Sequence, residues 1–265
     1  MTARTDDVSQ AAVDDSSFML PASHAQARLW FLSQLGSRTG TYNLCFGLRM
    51  KGALDVAVFQ RALSELVRRH ESLRTRFEHQ DEGIMQVVYP AAELPLERVD
   101  LSGFEELART GALDRECEAR ISRAFDLEHD HLLRVTLFDL SRSEHFALLV
   151  VHHIVFDGWS MGVFSRELAE LYRSFHAGQE PALEELELQY ADYSDWHRQW
   201  LEEPAQRQQI DYWKKKLAGS LPVLQLPADR GRPAARTFQG VTAAYSLPGS
   251  LLSGLKARAQ HEGAT

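Results

Sequence analysis

Cysteine is nearly absent from this sequence. The two present, Cys45 and Cys117, stand far apart and without the spacing of metal ligands, which excludes a disulfide framework and a cysteine-based zinc site and suits a reducing compartment. Positive charge is in deficit as well. Lysine and arginine number 29 against 37 acidic residues, a formal charge of -8, so there is no basic field to hold a phosphate backbone and nucleic acid is not an expected partner. Long apolar runs are also missing. The longest, Phe146 to Val151, falls far short of the roughly 20 residues that cross a bilayer, and the start of the chain lacks a basic region followed by an apolar run. Neither export nor membrane anchoring is expected, which leaves the cytoplasm. What remains, 44% hydrophobic and 25% charged over 265 residues, is the composition of a globular protein with one or two cores.

Residues 1–17 contain four aspartates and almost no large apolar side chain, so they are expected to form a mobile tail that cannot offset the entropy of ordering. Folded sequence begins near Pro21. Ser23 is placed to cap a helix carrying Ala25, Leu29, Leu32 and Leu35 and stopped by Gly36, and Asp55 to cap a second with apolar residues at Val58, Ala62, Leu63, Leu66 and Val67. A third helix is expected from about Phe104 to Phe125. Strand-like pieces run over Asn43 to Met50, Leu73 to Glu78 and Ile84 to Tyr89. Two stronger strands, Leu132 to Asp139 and His145 to His152, flank the polar turn 140–144, and the second is apolar on both faces and therefore central. Trp159, Phe164, Leu168, Leu171 and Phe175 then recur at helical spacing as far as Gly178.

Composition changes after Pro181. Polar helices over Tyr190 to Leu201 and Ala205 to Leu217, followed by Pro222, Pro227, Gly231 and Pro233, suggest a helical and extended linker over 181–235. A strand over Val241 to Leu247 and a helix over Ser250 to His261 cap no visible core, so 236–265 is expected to begin a second lobe that is cut off. The domain reading is a tail 1–17, a lobe 18–180, a linker 181–235 and the start of a second lobe 236–265, of class α+β.

Chemistry concentrates where the central strand meets the next helix, at His152-His153-Ile154-Val155-Phe156-Asp157-Gly158. Adjacent residues on an extended chain point to opposite faces, so at most one of the two histidines enters a given cavity. A structural account is available: two satisfied core histidines, Asp157 as a helix N-cap, and Gly158 as the residue that permits a tight turn. A metal held by His153 and Asp157 is disfavoured by the extended backbone between them. Gly158-Trp159-Ser160-Met161-Gly162 also matches the Gly-x-Ser-x-Gly nucleophile elbow, which makes a serine hydrolase using Ser160 a competing reading.

Four segments, in order, carry a resemblance. Ser23-His24-Ala25-Gln26-Ala27-Arg28-Leu29-Trp30-Phe31-Leu32, Arg69-His70-Glu71-Ser72-Leu73-Arg74-Thr75-Arg76-Phe77, the His-His-x-x-x-Asp-Gly run at 152–158, and Tyr190-Ala191-Asp192-Tyr193-Ser194-Asp195-Trp196 resemble the successive motifs of nonribosomal peptide synthetase condensation domains. The resemblance covers about residue 18 to the end. It implies a pair of lobes similar to chloramphenicol acetyltransferase with a tunnel between them, each lobe a mixed, largely antiparallel sheet with helices packed on it. It also implies an acyltransferase that joins a thioester donor to the amine of an aminoacyl acceptor, both delivered on the 4'-phosphopantetheine of carrier proteins beside neighbouring synthetase modules. No tightly bound cofactor or metal is implied. His153 would face the tunnel as the catalytic residue, as general base or by positioning the amine. His152, Asp157 and Gly158 would support it, with Asp157 paired to Arg69 or Arg74. The opening motif is most similar to the subtype taking an L-configured donor, and a non-catalytic recruitment platform of the same fold is the other reading. The chain alone is expected to be an incomplete catalyst.

Overall fold

Alternation and β-branched content fold the middle of the chain into two sheets. The computed structural model describes residues 17–35, 40–227, 231 and 243–264. Apart from Ser17, the expected tail lies outside the described residues, as does Gly36. In chain order the elements of the first unit are β1 (Phe18–Pro21), α1 (His24–Leu35), β2 (Asn43–Lys51), α2 (Val56–Arg69), β3 (Thr75–Gln80), β4 (Gly83–Val88), β5 (Leu96–Asp100), α3 (Glu106–Ser122), β6 (Leu133–Ser141), β7 (Glu144–His152), α4 (Gly158–His176), α5 (Tyr190–Leu201) and α6 (Pro204–Lys216). A 3-10 turn over Glu71–Arg74 links α2 to β3.

One sheet has three strands in the order β1-β4-β3, all antiparallel. The other has four in the order β2-β7-β6-β5, with β7 interior, as its doubly apolar sequence requires. Among the described strands only the β5–β6 pair is parallel, and α3 makes the crossover between them. The register sets Val150 opposite Cys45 and Arg134, and Leu149 opposite Phe46 and Val135, so consecutive β7 residues face opposite layers.

The helices start where side chains can satisfy their first amides. Ser23 Oγ accepts from the Gln26 amide at 3.1 Å while Gln26 returns a bond to the Ser23 amide at 2.9 Å, and Asp55 accepts from Val58 N–H at 3.0 Å. The helix α2 packs against α4, and Phe59, Leu63 and Leu66 join Phe164, Leu168 and Leu171 in one buried cluster with the sheet residues Leu137, Leu149 and Val151. Each such side chain contributes about 1.5–3 kcal/mol on burial. Two strands went unrecognised in the sequence, β1 and β5, which are four and five residues long and carry little alternation.

The chain divides into two compact units, Met1–Val223 and Leu224–Thr265. Helix α5, expected in a linker, packs on β1 and on the 3-10 turn within the first unit. In the second unit a helix, α7 (Gly249–His261), exposes Leu251, Leu252 and Leu255. The strand expected over Val241 to Leu247 does not form: 241–242 lie outside the described residues, and 243–247 carry no strand. Without a paired neighbour, an isolated strand has no ladder to hold it.

Candidate active site

The central strand delivers both histidines. At its end the His152 amide donates to Leu132 O at 3.0 Å and the His153 amide to Tyr42 O at 2.9 Å, after which the chain turns through 153–157 into α4. These main-chain bonds fix the two rings to opposite environments.

His152 points inward. Its ring is buried, its Nδ1 accepts from the Ile154 amide at 3.2 Å, and its edge meets Tyr42 and Phe125 at centroid distances of 6.2 and 6.1 Å. Burial, with a smaller contribution from His153, pushes its pKa down to about 4. His152 is therefore neutral near pH 7, with its proton on Nε2.

His153 is exposed. Its Nδ1 lies 2.8 Å from Phe156 O, and since a carbonyl only accepts, Nδ1 carries the proton. The neutral ring then leaves Nε2 as an unprotonated acceptor. This is the tautomer in which a histidine takes or holds a proton at Nε2.

Asp157 caps α4. Its Oδ1 accepts from the Ser160 amide at 2.8 Å and from Ser160 Oγ at 2.7 Å, and the Ser160 hydroxyl oxygen in turn accepts from the Asp157 amide at 3.3 Å. Hydrogen bonds from the Ser160 side chain and backbone hold this carboxyl below the usual carboxylate range. The expected pairing of Asp157 with an arginine is not what the structure contains. Arg69 is buried and donates to Glu167 at 3.1 Å and to Glu184 O at 2.9 Å, whereas Arg74 donates to Tyr89 O and to Glu71 at 3.3 Å. Asp157 Oδ1 is engaged with Ser160 of its own helix. Arg69 still bears on the site indirectly, because Glu167 lies on α4 and the contact ties α2 to the helix that Asp157 caps.

Glu167 also takes a bond from His70 Nε2 at 2.9 Å. Burial by itself would raise the Glu167 carboxyl, but the bonds from His70 and Arg69 outweigh it and hold the group below the usual range. His70 and Glu167 are 97 residues apart, and no spacing rule in the sequence joins them. A small cavity of about 190 Å³ lies alongside, between His70, Phe156, Trp159 and Phe164. Trp159 stands 84% exposed at its edge.

Gly158 opens α4 without a positive φ, and a Cβ there would meet nothing within 4 Å. The tight-turn explanation for this glycine does not hold. The hydrolase reading also fails on geometry, since Ser160 spends its hydroxyl on the helix cap. Downstream, His176 stacks on Tyr172 and His197 on Tyr193, and neither bonds to Ser160. Among the described residues no group of three or more histidine, cysteine or acidic side chains is arranged to hold a metal ion.

Three comparisons bear on this geometry. The profile of the family described as Condensation domain matches residues 16–265. The chain is 44% identical over 246 residues to a linear gramicidin synthase of Brevibacillus parabrevis, covering 93% of this chain and 3% of that protein. To chondramide synthase cmdD of Chondromyces crocatus it is 45% identical over 247 residues, covering 93% and 6%. Among solved structures, the complex of the X-domain and OxyB from teicoplanin biosynthesis superposes with a TM-score of 0.79 at 33% identity, over 93% of this chain and 53% of that one. The starter condensation domain of rhizomide synthetase RzmA, at 21% identity and a TM-score of 0.68 over 76% and 48%, shares the fold. The chain thus spans about half of these solved domains and a few per cent of these two synthases.

Proposed function

The chain belongs to the condensation-domain family of nonribosomal peptide synthetases, and from that membership we propose that it supplies the His153 side of an amide-forming acyl transfer. The observation that carries the reading is the bond from His153 Nδ1 to Phe156 O at 2.8 Å, which leaves Nε2 of an exposed ring as a proton acceptor. The acceptor's amine nitrogen attacks the donor's thioester carbonyl, the C–N bond forms, the C–S bond breaks, and the thiol leaves. The nitrogen sheds a proton on the way. Nε2 is suited to take that proton as a general base, or to hold the amine N–H so that its lone pair meets the carbonyl.

Donor and acceptor arrive on the phosphopantetheine arms of carrier proteins, in this reading, with neighbouring synthetase modules as partners and the cytoplasm as compartment. No described helix is long and apolar enough to cross a membrane. The motif around Trp30 supports an L-configured donor.

A second reading, a recruitment platform of the same fold, is favoured by the similarity to an X-domain solved in complex with OxyB. The complete His-His-x-x-x-Asp-Gly run and the His153 tautomer support catalysis over it. The test uses the complete domain with loaded donor and acceptor carriers. Amide product that disappears in His153→Ala and persists in Ser160→Ala supports the proposal; product undiminished in a folded His153→Ala protein refutes it.

A further inference from the structure

A larger cavity, of about 390 Å³, whose lining does not include His153, opens between the C-terminal end of α3 and the strands β5 and β6. Its lining includes Arg120, Arg123 and Arg134 together with Leu96, Val135 and Val150. Two of the three guanidinium groups are already committed. Arg120 donates to Glu97 at 3.0 and 2.6 Å, and Arg134 donates to Asp130 at 2.7 Å and to the carbonyls of Arg123 and Ala124 at 3.0 and 2.9 Å. Arg120 also binds Glu116, so that guanidinium is held between two carboxylates.

Arg123 is the third guanidinium, and its charge is the smallest of the influences that lower the Glu97 carboxyl. Its guanidinium makes no hydrogen bond or ion pair among the described residues. Its backbone, by contrast, is held: the Arg123 carbonyl accepts from Asn43 Nδ2 and from Arg134 Nη1, both at 3.0 Å. A fixed main chain thus presents a free planar fork beside a cavity that is otherwise largely apolar. The volume lies within the range of small-molecule sites, which begins at roughly 300 Å³. A bare inorganic ion would leave the apolar lining unfilled.

We propose that this cavity binds a small organic monoanion, a carboxylate on a compact apolar body. Arg123 takes the carboxylate as a bidentate fork, the geometry that guanidinium and carboxylate share. Leu96, Val135 and Val150 take the apolar part. Arg120 and Arg134, pinned by their own carboxylates, shape the wall. The site stands independently of the chemistry at His153.

Benzoate is the probe, with benzamide as its neutral isostere and inorganic phosphate as an anion lacking an apolar body. Each is titrated into the 265-residue chain while the NMR signals of Val135, Thr136 and Val150 are followed. Benzoate should shift those signals saturably, with benzamide and phosphate at least about tenfold weaker. Arg123→Gln should weaken benzoate at least about tenfold while leaving the circular dichroism spectrum and melting temperature unchanged, since Arg123 is exposed. Absence of saturation by benzoate, equal binding of benzamide or phosphate, or an unchanged affinity in Arg123→Gln would each overturn the proposal.

Discussion

The β6–β7 hairpin carries a histidine near each end, and the two are held in opposite ways. At the turn end His145 is buried, bonds through Nδ1 to Asp139 at 2.7 Å, and shares that carboxylate with Arg98 at 2.5 Å. At the open end His153 is exposed and bonds to an uncharged carbonyl. A carboxylate–histidine dyad is the better-known signature of catalysis. Here the dyad is enclosed, and His145 Nε2 is buried without a hydrogen-bond partner among the described residues. Geometry and access come before tuning of the base. The second histidine of the pair at the open end, His152, resembles His145 in burial but lacks any carboxylate.

The largest contrast should be in rate. In the complete domain, His153→Ala is expected to slow amide formation by roughly 10²–10⁴-fold, the range for loss of a general acid or base, with melting temperature almost unchanged. A substitution at His145 should do the reverse, lowering stability while leaving the rate per folded molecule near that of the parent. Comparable rate losses at the two ends would break the distinction.

The next effect is in pH dependence. His152 has its folded pKa pushed down to about 4, below the usual 6.5 or so of an unfolded chain. Between those values the unfolded chain binds the extra proton, so stability rises with pH through the window and is lost as pH falls from about 6.5 towards 4. The difference approaches about 3 kcal/mol. Chemical denaturation across that window should show a shallower decline in His152→Asn than in the parent, and parallel declines would remove His152 as the cause.

Asp139→Asn sharpens the other end of the comparison. It leaves the His145 ring without a charged partner in a buried position, at an expected cost of about 1–3 kcal/mol by urea unfolding. Arg98 is 56% exposed and adds little. A cost below a few tenths would mean that water replaces the carboxylate. The smallest effect is at the cap: Asp157→Ala should cost about 0.5–2 kcal/mol, with Asp157→Asn or Asp157→Ser recovering most of it. If neither recovers stability, an ionic partner for Asp157 rather than the cap is what matters.

Much of this architecture is legible in the chain itself. Ser23, Asp55 and Asp157 announce helix starts because each needs only an amide three residues on, a contact local enough for spacing to reveal. β7 is legible as a central strand because burial on both faces demands apolar residues at every position. The opposite facing of His152 and His153 follows from strand alternation. β1 and β5 are not legible, since four or five residues with mixed polarity carry no period.

What sequence alone determined is therefore local: helix caps, strand burial, the order of the four motifs, and the fact that only one histidine of the pair points outward. What only the tertiary structure decided is who meets whom. Arg69 and His70 share Glu167, 98 and 97 residues away, rather than reaching Asp157. Asp139 binds His145 and Arg98, and Arg123 lines a cavity without a hydrogen-bonded carboxylate among the described residues. Such pairings cost loop-closure entropy that grows only slowly with separation, so chain distance neither favours nor forbids them. The packing of α2 on α4 and of α3 on β2 and β7 selects the partners, and that selection is a property of the assembled layers.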